Sequence, residues 1–168
     1  MDFQTAKQYD DEYIIHSYGR FPVLLTKGKG ATVQDDTGKT YIDFTSGIGV
    51  NALGFCDDNW VQAVSAQLQT LQHTSNLYYT EPCIQAAKLL CEKSSMKKVF
   101  FGNSGAEANE GVIKAARKYS FLKYGASRNK IIALQNSFHG RTMAALSATG
   151  QDAYHNFFFP FVDGFVFA

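Results

Sequence analysis

A glycine-bordered turn, Gly-Asn-Ser-Gly at residues 102–105, separates an apolar run from an alanine-rich segment. A strand, a glycine turn and a helix in this order are typical of an anion site, because the first N–H groups of a helix lack internal acceptors and lie at its positive end. Gly102 and Gly105 allow the backbone to approach a ligand, and Ser104 adds a hydroxyl. The pattern Ser104-x-x-Glu107 is also a capping box, which satisfies the same N–H groups without a ligand. This stretch alone supports the two interpretations about equally.

A second group of polar and aromatic side chains occurs in NSFHGRT, residues 136–142. Phe138 offers a flat apolar face, His139 a ring that can donate or accept a hydrogen bond, and Arg141 a planar fork suited to a carboxylate. Taken singly, each has an ordinary explanation as a core ring, a structural hydrogen-bonding group or a solvated charge. Their position beside a second glycine turn favours a binding site.

Both stretches are expected to follow β-strands. The pattern predicts a buried strand at residues 98–101, a helix at 106–119, a strand at 130–135 and a short helix at 141–148. Strands and helices that alternate at this spacing predict an α/β fold with parallel strands and right-handed crossovers. Ligands bind at the carboxyl ends of the strands in such sheets, so the two loops are expected to face one pocket.

The earlier part of the chain predicts a different architecture. Residues 22–49 alternate short β-rich runs with glycine and aspartate turns, which predicts an antiparallel meander with a hairpin turn at D-D-T-G-K. Pro82 suits the first turn of a later helix. Between them, apolar residues at spacings of three and four predict an amphipathic helix that Asp57 or Asp58 caps: Trp60, Val61, Val64, Leu68 and Leu71.

Composition argues against several classes of function. Sixteen Lys+Arg and fifteen Asp+Glu leave a formal charge of +1, and no basic run marks a nucleic-acid or membrane surface. With no signal-peptide pattern and no long apolar run, a cytoplasmic protein without membrane partners is expected. The cysteines and histidines are too scattered for a metal site. Neither a complete G-x-x-x-x-G-K-[ST] nor a complete G-x-G-x-x-G is present, which argues against P-loop NTPases and Rossmann dehydrogenases.

Four segments together resemble the class-III group of fold-type I pyridoxal-phosphate aminotransferases, most closely its acetylornithine branch. They are NSGAEANEGVIKAARKY, NSFHGRTMAALSATG, HTSNLYYTEP and residues 17–54, so the resemblance extends from about residue 13 onward. It implies an N-terminal meander followed by the start of a mainly parallel α/β domain. Residues 1–55 are expected to belong to a small domain, and residues 56–168 to the first part of the large cofactor-binding domain. Because the chain ends in what looks like another buried strand, FFFPFVDGFVFA, it is expected to be an N-terminal fragment.

The resemblance implies which residues bind the cofactor. Gly105 and Ala106 match the backbone pair that binds the phosphate of pyridoxal 5'-phosphate, with Ser104 beside them. Phe138 matches the aromatic residue that lies against the pyridine ring, and His139 adjoins it. We therefore expect these five residues to form the cofactor site.

The resemblance also implies substrate and subunit contacts. Arg141 matches the arginine that holds the substrate carboxylate. Tyr18 matches an aromatic position near the substrate, although a buried tyrosine of a packed N-terminal segment would look the same. Ile48 stands where ornithine aminotransferases tend to carry tyrosine, which favours acetylornithine. Asn76 and Tyr78 fall in a loop that reaches the neighbouring subunit's active site in this family, which implies a homodimer.

The implied activity is transfer of the terminal amino group of N2-acetylornithine to 2-oxoglutarate, a step of arginine biosynthesis. Ornithine, succinylornithine and 4-aminobutyrate are alternative donors, because enzymes that act on them share these motifs. In the family, the Schiff-base lysine and the aspartate beside the pyridine nitrogen lie beyond position 168, so no catalytic residue is assigned and the fragment alone is expected to be inactive. GFCDDNW departs from the family's histidine-rich turn. From another class of function, the alternative is a non-catalytic module that binds a phosphorylated ligand.

Overall fold

Contacts between residues divide the chain into two units. The computed structural model describes all residues from Met1 to Ala168, and its units are Met1–Tyr78 and Tyr79–Ala168. This division rests on contacts within the chain. It does not test the boundary expected after residue 55, which separates the small and large domains that the family resemblance implies. That boundary stays a prediction.

The first unit contains the predicted meander. Helix α1 (Phe3–Tyr13) begins at Asp2, whose carboxylate caps its first turn. Three strands follow, β1 (Leu25–Lys29), β2 (Thr32–Asp35) and β3 (Thr40–Ile42), and they pair antiparallel in the order β1-β2-β3. The sequence interpretation of this region is therefore confirmed, although α1 was not predicted.

The turn between β2 and β3 is organised by the carboxylate of Asp35, which is 9% exposed. One carboxylate oxygen accepts hydrogen bonds from the N–H and hydroxyl of Thr37 and the N–H of Lys39, and the other accepts from the Tyr41 hydroxyl at 2.8 Å. These bonds, first those from the Thr37 and Tyr41 side chains, lower the pKa of Asp35 to about 2. Gly38 completes the turn with a φ of 87°.

Two helical segments close the first unit. The short segment α2 (Ser46–Gly49) has a left-handed backbone at Gly47 and Ile48, where φ is 58°. Helix α3 (Asp58–Thr70) is capped by Asp57, whose side chain accepts a hydrogen bond from the third N–H after it. The structure thus identifies which of the two candidate aspartates is the cap.

The second unit begins with two longer helices. In α4 (Glu81–Lys93), Pro82 lies in the first turn, as predicted. Helix α5 (Gly105–Tyr124) begins at the predicted glycine turn, runs past the predicted end and stops at Gly125, where φ is 72°. No helix of the structure combines the length and apolar composition that a membrane crossing requires.

A two-stranded parallel sheet confirms the α/β interpretation. Strand β4 (Ile131–Ala133) pairs in parallel with β5 (Phe165–Phe167), so that Ile131 lies opposite Phe165. The strand at the end of the chain was expected to be buried, and this was wrong. Val166 is 47% exposed and Phe167 is 38% exposed, although the ring of Phe167 contacts that of His155 with centroids 6.4 Å apart.

The strand predicted at residues 98–101 is absent, which is a second correction. The composition of this run favours a strand, but a strand needs a hydrogen-bonded partner and no strand pairs with it here. The ring of Phe100 instead lies close to α5, where a Cβ added to Gly111 would stand 3.0 Å from it. Phe101 is 48% exposed.

The buried centre of the second unit is the short helix α6 (Met143–Ala148), which a one-turn helix α7 (Asp152–His155) follows. The last four residues of α6 are buried, together with Ile113 of α5 and Ala133 of β4. The helix was predicted at 141–148 and begins slightly later, because Thr142 has an extended backbone with ψ of 157°. Arg141 and Thr142 therefore form an exposed segment between β4 and a packed helix.

Candidate functional site

The N-terminus of α5 is capped and still offers backbone donors. The Ser104 hydroxyl accepts a hydrogen bond from the Glu107 N–H at 3.2 Å, and the Ser104 carbonyl accepts from the Ala108 N–H at 3.0 Å. The Glu107 carboxylate accepts from the Asn103 N–H, one residue before the position that a capping box prescribes. The N–H groups of Gly105 and Ala106 have no acceptor in the chain. The cap therefore uses the Glu107 N–H and leaves the N–H groups of Gly105 and Ala106 open, so the capping interpretation is confirmed and does not exclude an anion site.

The loop after β4 is closed at its base by pairing with Gly150. The Asn136 N–H donates to the Gly150 carbonyl at 2.7 Å, and the Gly150 N–H donates to the Ser137 carbonyl at 3.0 Å. A Cβ at position 150 would lie 2.3 Å from the Leu134 carbonyl oxygen, so this close approach requires glycine. The start of the loop that carries Phe138, His139 and Arg141 is thus fixed against the residue that follows α6 by two positions.

The backbone of His139 is held from two sides. Its N–H donates to the hydroxyl of Thr149 at 3.0 Å, and its carbonyl accepts from the side-chain amide of Asn109 at 2.7 Å. Thr149 is fully buried, and its hydroxyl in turn donates to the Ala145 carbonyl at 3.0 Å. The loop is therefore tied both to α5, through Asn109, and to α6, through Thr149.

Gly140 brings this loop against the N-terminus of α5. A Cβ added to Gly140 would stand 2.6 Å from the Cβ of Ala106 and 2.9 Å from its Cα, and the φ of Gly140 is 128°. Both the space and the backbone conformation thus require glycine. This contact confirms the expectation from the sequence that the two glycine turns meet.

The two segments line an open cavity of about 470 Å³, a volume within the usual range for small-molecule sites. Arg141 is the one formal cation in its wall, and no carboxylate lines it. With the positive end of α5 beside it, the cavity favours an anionic ligand. Its walls include six of the residues singled out from the sequence: Ser104, Gly105, Ala106, Phe138, His139 and Arg141.

The ring of Phe138 stands in the wall of this cavity. It is 51% exposed and makes a tilted contact with the ring of Tyr154, with centroids 5.3 Å apart. The ordinary explanation, a core phenylalanine, does not apply to a ring this exposed. Phe138 is therefore available to a flat ligand, and Tyr154 supports it from one side.

The other predicted site residues lie in the first unit. Tyr18 is 57% exposed and lines a cavity of about 510 Å³ beside α1. Ile48 is 96% exposed in the left-handed segment α2, a backbone conformation that β-branched residues rarely adopt. Asn76 and Tyr78 lie in an exposed turn before α4. The roles expected of these four residues stay predictions.

Sequence reasoning missed three residues that help to build the site, namely Asn109, Glu110 and Thr149, and it noted Gly140 only as part of a glycine turn. Asn109 and Glu110 read as ordinary polar residues of a helix, and Thr149 reads as a residue near a helix end. Only the glycine of the F-H-G-R run carried a local signal, since glycine beside reactive side chains indicates a close backbone approach. The contacts of the others join segments far apart in the sequence.

Comparison with known proteins places the chain among relatives of one kind. The class-III aminotransferase family profile matches residues 13–168. The acetylornithine aminotransferase of Haemophilus ducreyi is 58% identical over 98% of this chain and 42% of its own length. The enzyme of the same name from Caldanaerobacter subterraneus is 53% identical over 94% of this chain and 40% of its own. The chain therefore spans about two fifths of the length of these curated relatives.

Solved structures give the same picture for the fold. An ornithine aminotransferase from Toxoplasma gondii, described with partial occupancy of PLP at its active site, superposes with a TM-score of 0.93. It is 30% identical in sequence, and the match covers 99% of this chain and 39% of that one. The fold of this chain thus corresponds to about two fifths of a solved aminotransferase chain.

Proposed function

Because the chain belongs to the class-III aminotransferase family, we propose that it forms the phosphate-binding and carboxylate-binding part of an acetylornithine transaminase. The cofactor of this family is pyridoxal 5'-phosphate. The observation that carries the proposal is the single cavity shared by the α5 N-terminus and the loop with Phe138, His139 and Arg141. One wall offers backbone N–H groups to an anion, and the other offers an aromatic face and a guanidinium.

The N-terminus of α5 fits the cofactor phosphate. The N–H groups of Gly105 and Ala106 lack acceptors within the chain, and a Cβ on Gly105 would meet no atom within 4 Å. The Ser104 hydroxyl accepts from Glu107 and keeps its own hydrogen for donation. Three donors at the positive end of a twenty-residue helix suit a phosphate dianion.

The opposite wall fits the rest of the cofactor and a substrate acid. The half-exposed ring of Phe138 can lie against a planar pyridine, with His139 beside it to donate or accept a hydrogen bond. Arg141 presents a bidentate partner for a carboxylate. When bound, the cofactor acts as the electron sink that makes amino-group transfer possible. The residues of this chain bind and orient, and no lysine lines the cavity to move a proton.

N2-acetylornithine is the amino donor that we propose, with 2-oxoglutarate as the acceptor and arginine biosynthesis as the setting. The supporting observation is the identity of 58% and 53% to enzymes named acetylornithine aminotransferase, against 30% to the ornithine enzyme. Ile48, where ornithine enzymes tend to carry tyrosine, points the same way. Ornithine, succinylornithine and 4-aminobutyrate are the donors to test against it. We further propose a cytoplasmic homodimer in which Asn76 and Tyr78 serve the partner's site.

Substitution of Arg141 tests the carboxylate role. In the full-length protein, Arg141→Ala is expected to lower kcat/KM for the amino donor by roughly a hundredfold, because a charge-assisted bidentate contact is lost. The dissociation constant of pyridoxal 5'-phosphate should stay within about twofold of the wild-type value, since the N–H groups that donate to the phosphate lie on α5. Arg128→Ala is the matched control, because Arg128 stacks over the Tyr124 ring, outside this cavity.

The same assay tests the donor. N2-acetylornithine should give the highest kcat/KM of the four amino donors in the wild-type protein. Preference for another donor would refute the substrate and leave the transaminase assignment intact. If Arg141→Ala weakened cofactor and donor equally, Arg141 would not be the carboxylate partner.

A further inference from the structure

Glu110 lies on α5 and makes three hydrogen bonds to the segment that follows Arg141. One oxygen of its half-buried carboxylate accepts from the Thr142 hydroxyl at 2.6 Å, the Ala144 N–H at 3.1 Å and the Ala145 N–H at 3.3 Å. All three donors belong to the first turn of α6 or to the residue before it. The family resemblance and the sequence patterns gave this glutamate no role.

These bonds replace a cap that α6 does not supply for itself. Thr142 occupies the N-cap position of α6, yet its side chain makes no hydrogen bond to the helix. It donates to Glu110 instead, and the same carboxylate accepts from two N–H groups that the helix leaves without internal acceptors. The N-terminus of α6 is therefore capped by a side chain of α5.

The place where Glu110 binds indicates that it positions the segment before α6 and does not merely stabilise the helix. The body of α6 is already fixed by packing, since Leu146 is 4% exposed and Ala145 is fully buried. Arg141 and Thr142, just before it, are exposed. Glu110 therefore binds the exposed start of this segment, and it does so from the helix whose first residues are Gly105 and Ala106.

We propose that Glu110 is a positioning residue, which fixes Arg141 relative to the Gly105–Ala106 turn by binding Thr142 and the first turn of α6. The inference rests on the proposed function for the role of Arg141 itself. It adds that the Glu110 carboxylate helps to set the distance between Arg141 and the N–H groups of Gly105 and Ala106. Asn109, the neighbouring residue on α5, holds the His139 carbonyl at 2.7 Å and fixes the other side of Arg141.

Hydrogen–deuterium exchange of the full-length protein tests the contact without any use of the activity. Glu110→Ala should speed exchange of the Ala144 and Ala145 amides by roughly tenfold or more, because both lose their acceptor. Glu110→Gln retains an acceptor oxygen and should stay within about threefold of wild type. Glu92→Gln is the matched control, since Glu92 pairs with Lys88 on α4. Unchanged exchange in Glu110→Ala would overturn the proposal.

Kinetics of the same variants test the consequence. Glu110→Ala should raise KM for the amino donor by roughly tenfold to a hundredfold, with a smaller change in kcat, because a displaced Arg141 binds the carboxylate poorly. The dissociation constant of pyridoxal 5'-phosphate should stay within about twofold, and Glu110→Gln should largely restore KM. Thr142→Val removes one donor without touching α5, and it should raise KM in the same direction even if Glu110→Ala does not fold.

The outcomes separate the positioning role from the proposed function. An active wild type in which Glu110→Ala speeds exchange but leaves KM unchanged would overturn the positioning role alone. Equal damage to KM, kcat and cofactor binding, without recovery in Glu110→Gln, would also overturn it in favour of a structural role. A wild type that transfers no amino group would refute the proposed function and the role of Arg141 on which this inference rests, whatever the exchange data show.

Discussion

Replacement of Gly140 by alanine should separate the two halves of the cavity. The added Cβ would stand 2.6 Å from the Cβ of Ala106. Non-bonded carbons prefer separations of about 3.5–4.0 Å, so the loop must move away from α5 by about 1 Å. Such overpacking costs about 1–3 kcal/mol, and a non-glycine residue at a φ of 128° costs about 1–3 kcal/mol more. The free energy of unfolding should therefore fall by about 2–6 kcal/mol.

Equilibrium urea unfolding of the full-length, cofactor-free protein measures this loss, and two further variants separate its causes. Gly125→Ala is the control for the backbone, because Gly125 has a φ of 72° and no atom within 4 Å of an added Cβ. It should cost about 1–3 kcal/mol from conformation alone. Ala106→Gly in the Gly140→Ala background removes the nearest clashing atom and leaves the Ala106 Cα at 2.9 Å, so the double-mutant cycle should show a favourable coupling of about 0.5 kcal/mol or more between the two substitutions.

The reasoning fails if Gly140→Ala is no more destabilising than Gly125→Ala. It fails equally if the Ala106 and Gly140 substitutions are simply additive, because two residues in contact must couple. Because the loop carries Arg141, a shift of about 1 Å away from α5 should also lower transaminase activity by about a hundredfold.

Two further substitutions test the turn in the first unit and the buried hydroxyl in the second. Asp35→Asn should destabilise the protein above pH 4 and much less near pH 2, since a pKa lowered to about 2 from 3.8 stabilises the fold above 3.8 and that contribution is lost as the pH falls through 2. Urea midpoints of both proteins from pH 2 to pH 6 measure this, and a difference that does not shrink on acidification would contradict it. Thr149→Val should cost about 1–3 kcal/mol, because the half-buried His139 N–H loses its acceptor. Thermal unfolding measures this loss, with Thr149→Ser, which keeps the hydroxyl, as the control; equal losses in both variants would disprove the role of the hydroxyl.

Features governed by neighbouring residues could be predicted from the sequence. The Ser104 cap, the Asp57 cap and the Asp35 turn each depend on hydrogen bonds that span only a few residues. Their patterns therefore carried enough information, apart from a choice between two adjacent aspartates. The long helix α5 was predicted for the same reason, because its periodicity and its start signal are both local.

Several features that depend on distant partners could not be predicted from the sequence, although the meeting of the two glycine turns was expected. Residues 98–101 have the composition of a strand, but composition cannot show that no other strand pairs with them. The bonds from Asn109 to His139 and from Thr142 to Glu110 join positions about thirty residues apart. No periodicity reports such pairs, so the residues that hold the site together emerged only from the structure.

An experimental structure of the full-length protein with pyridoxal 5'-phosphate would test the central claim most directly. It should place the phosphate oxygens within hydrogen-bond distance, about 2.7–3.2 Å, of the N–H groups of Gly105 and Ala106. The pyridine ring should lie against Phe138. A phosphate bound elsewhere, with the two N–H groups facing solvent, would contradict the assignment of this cavity as the cofactor site.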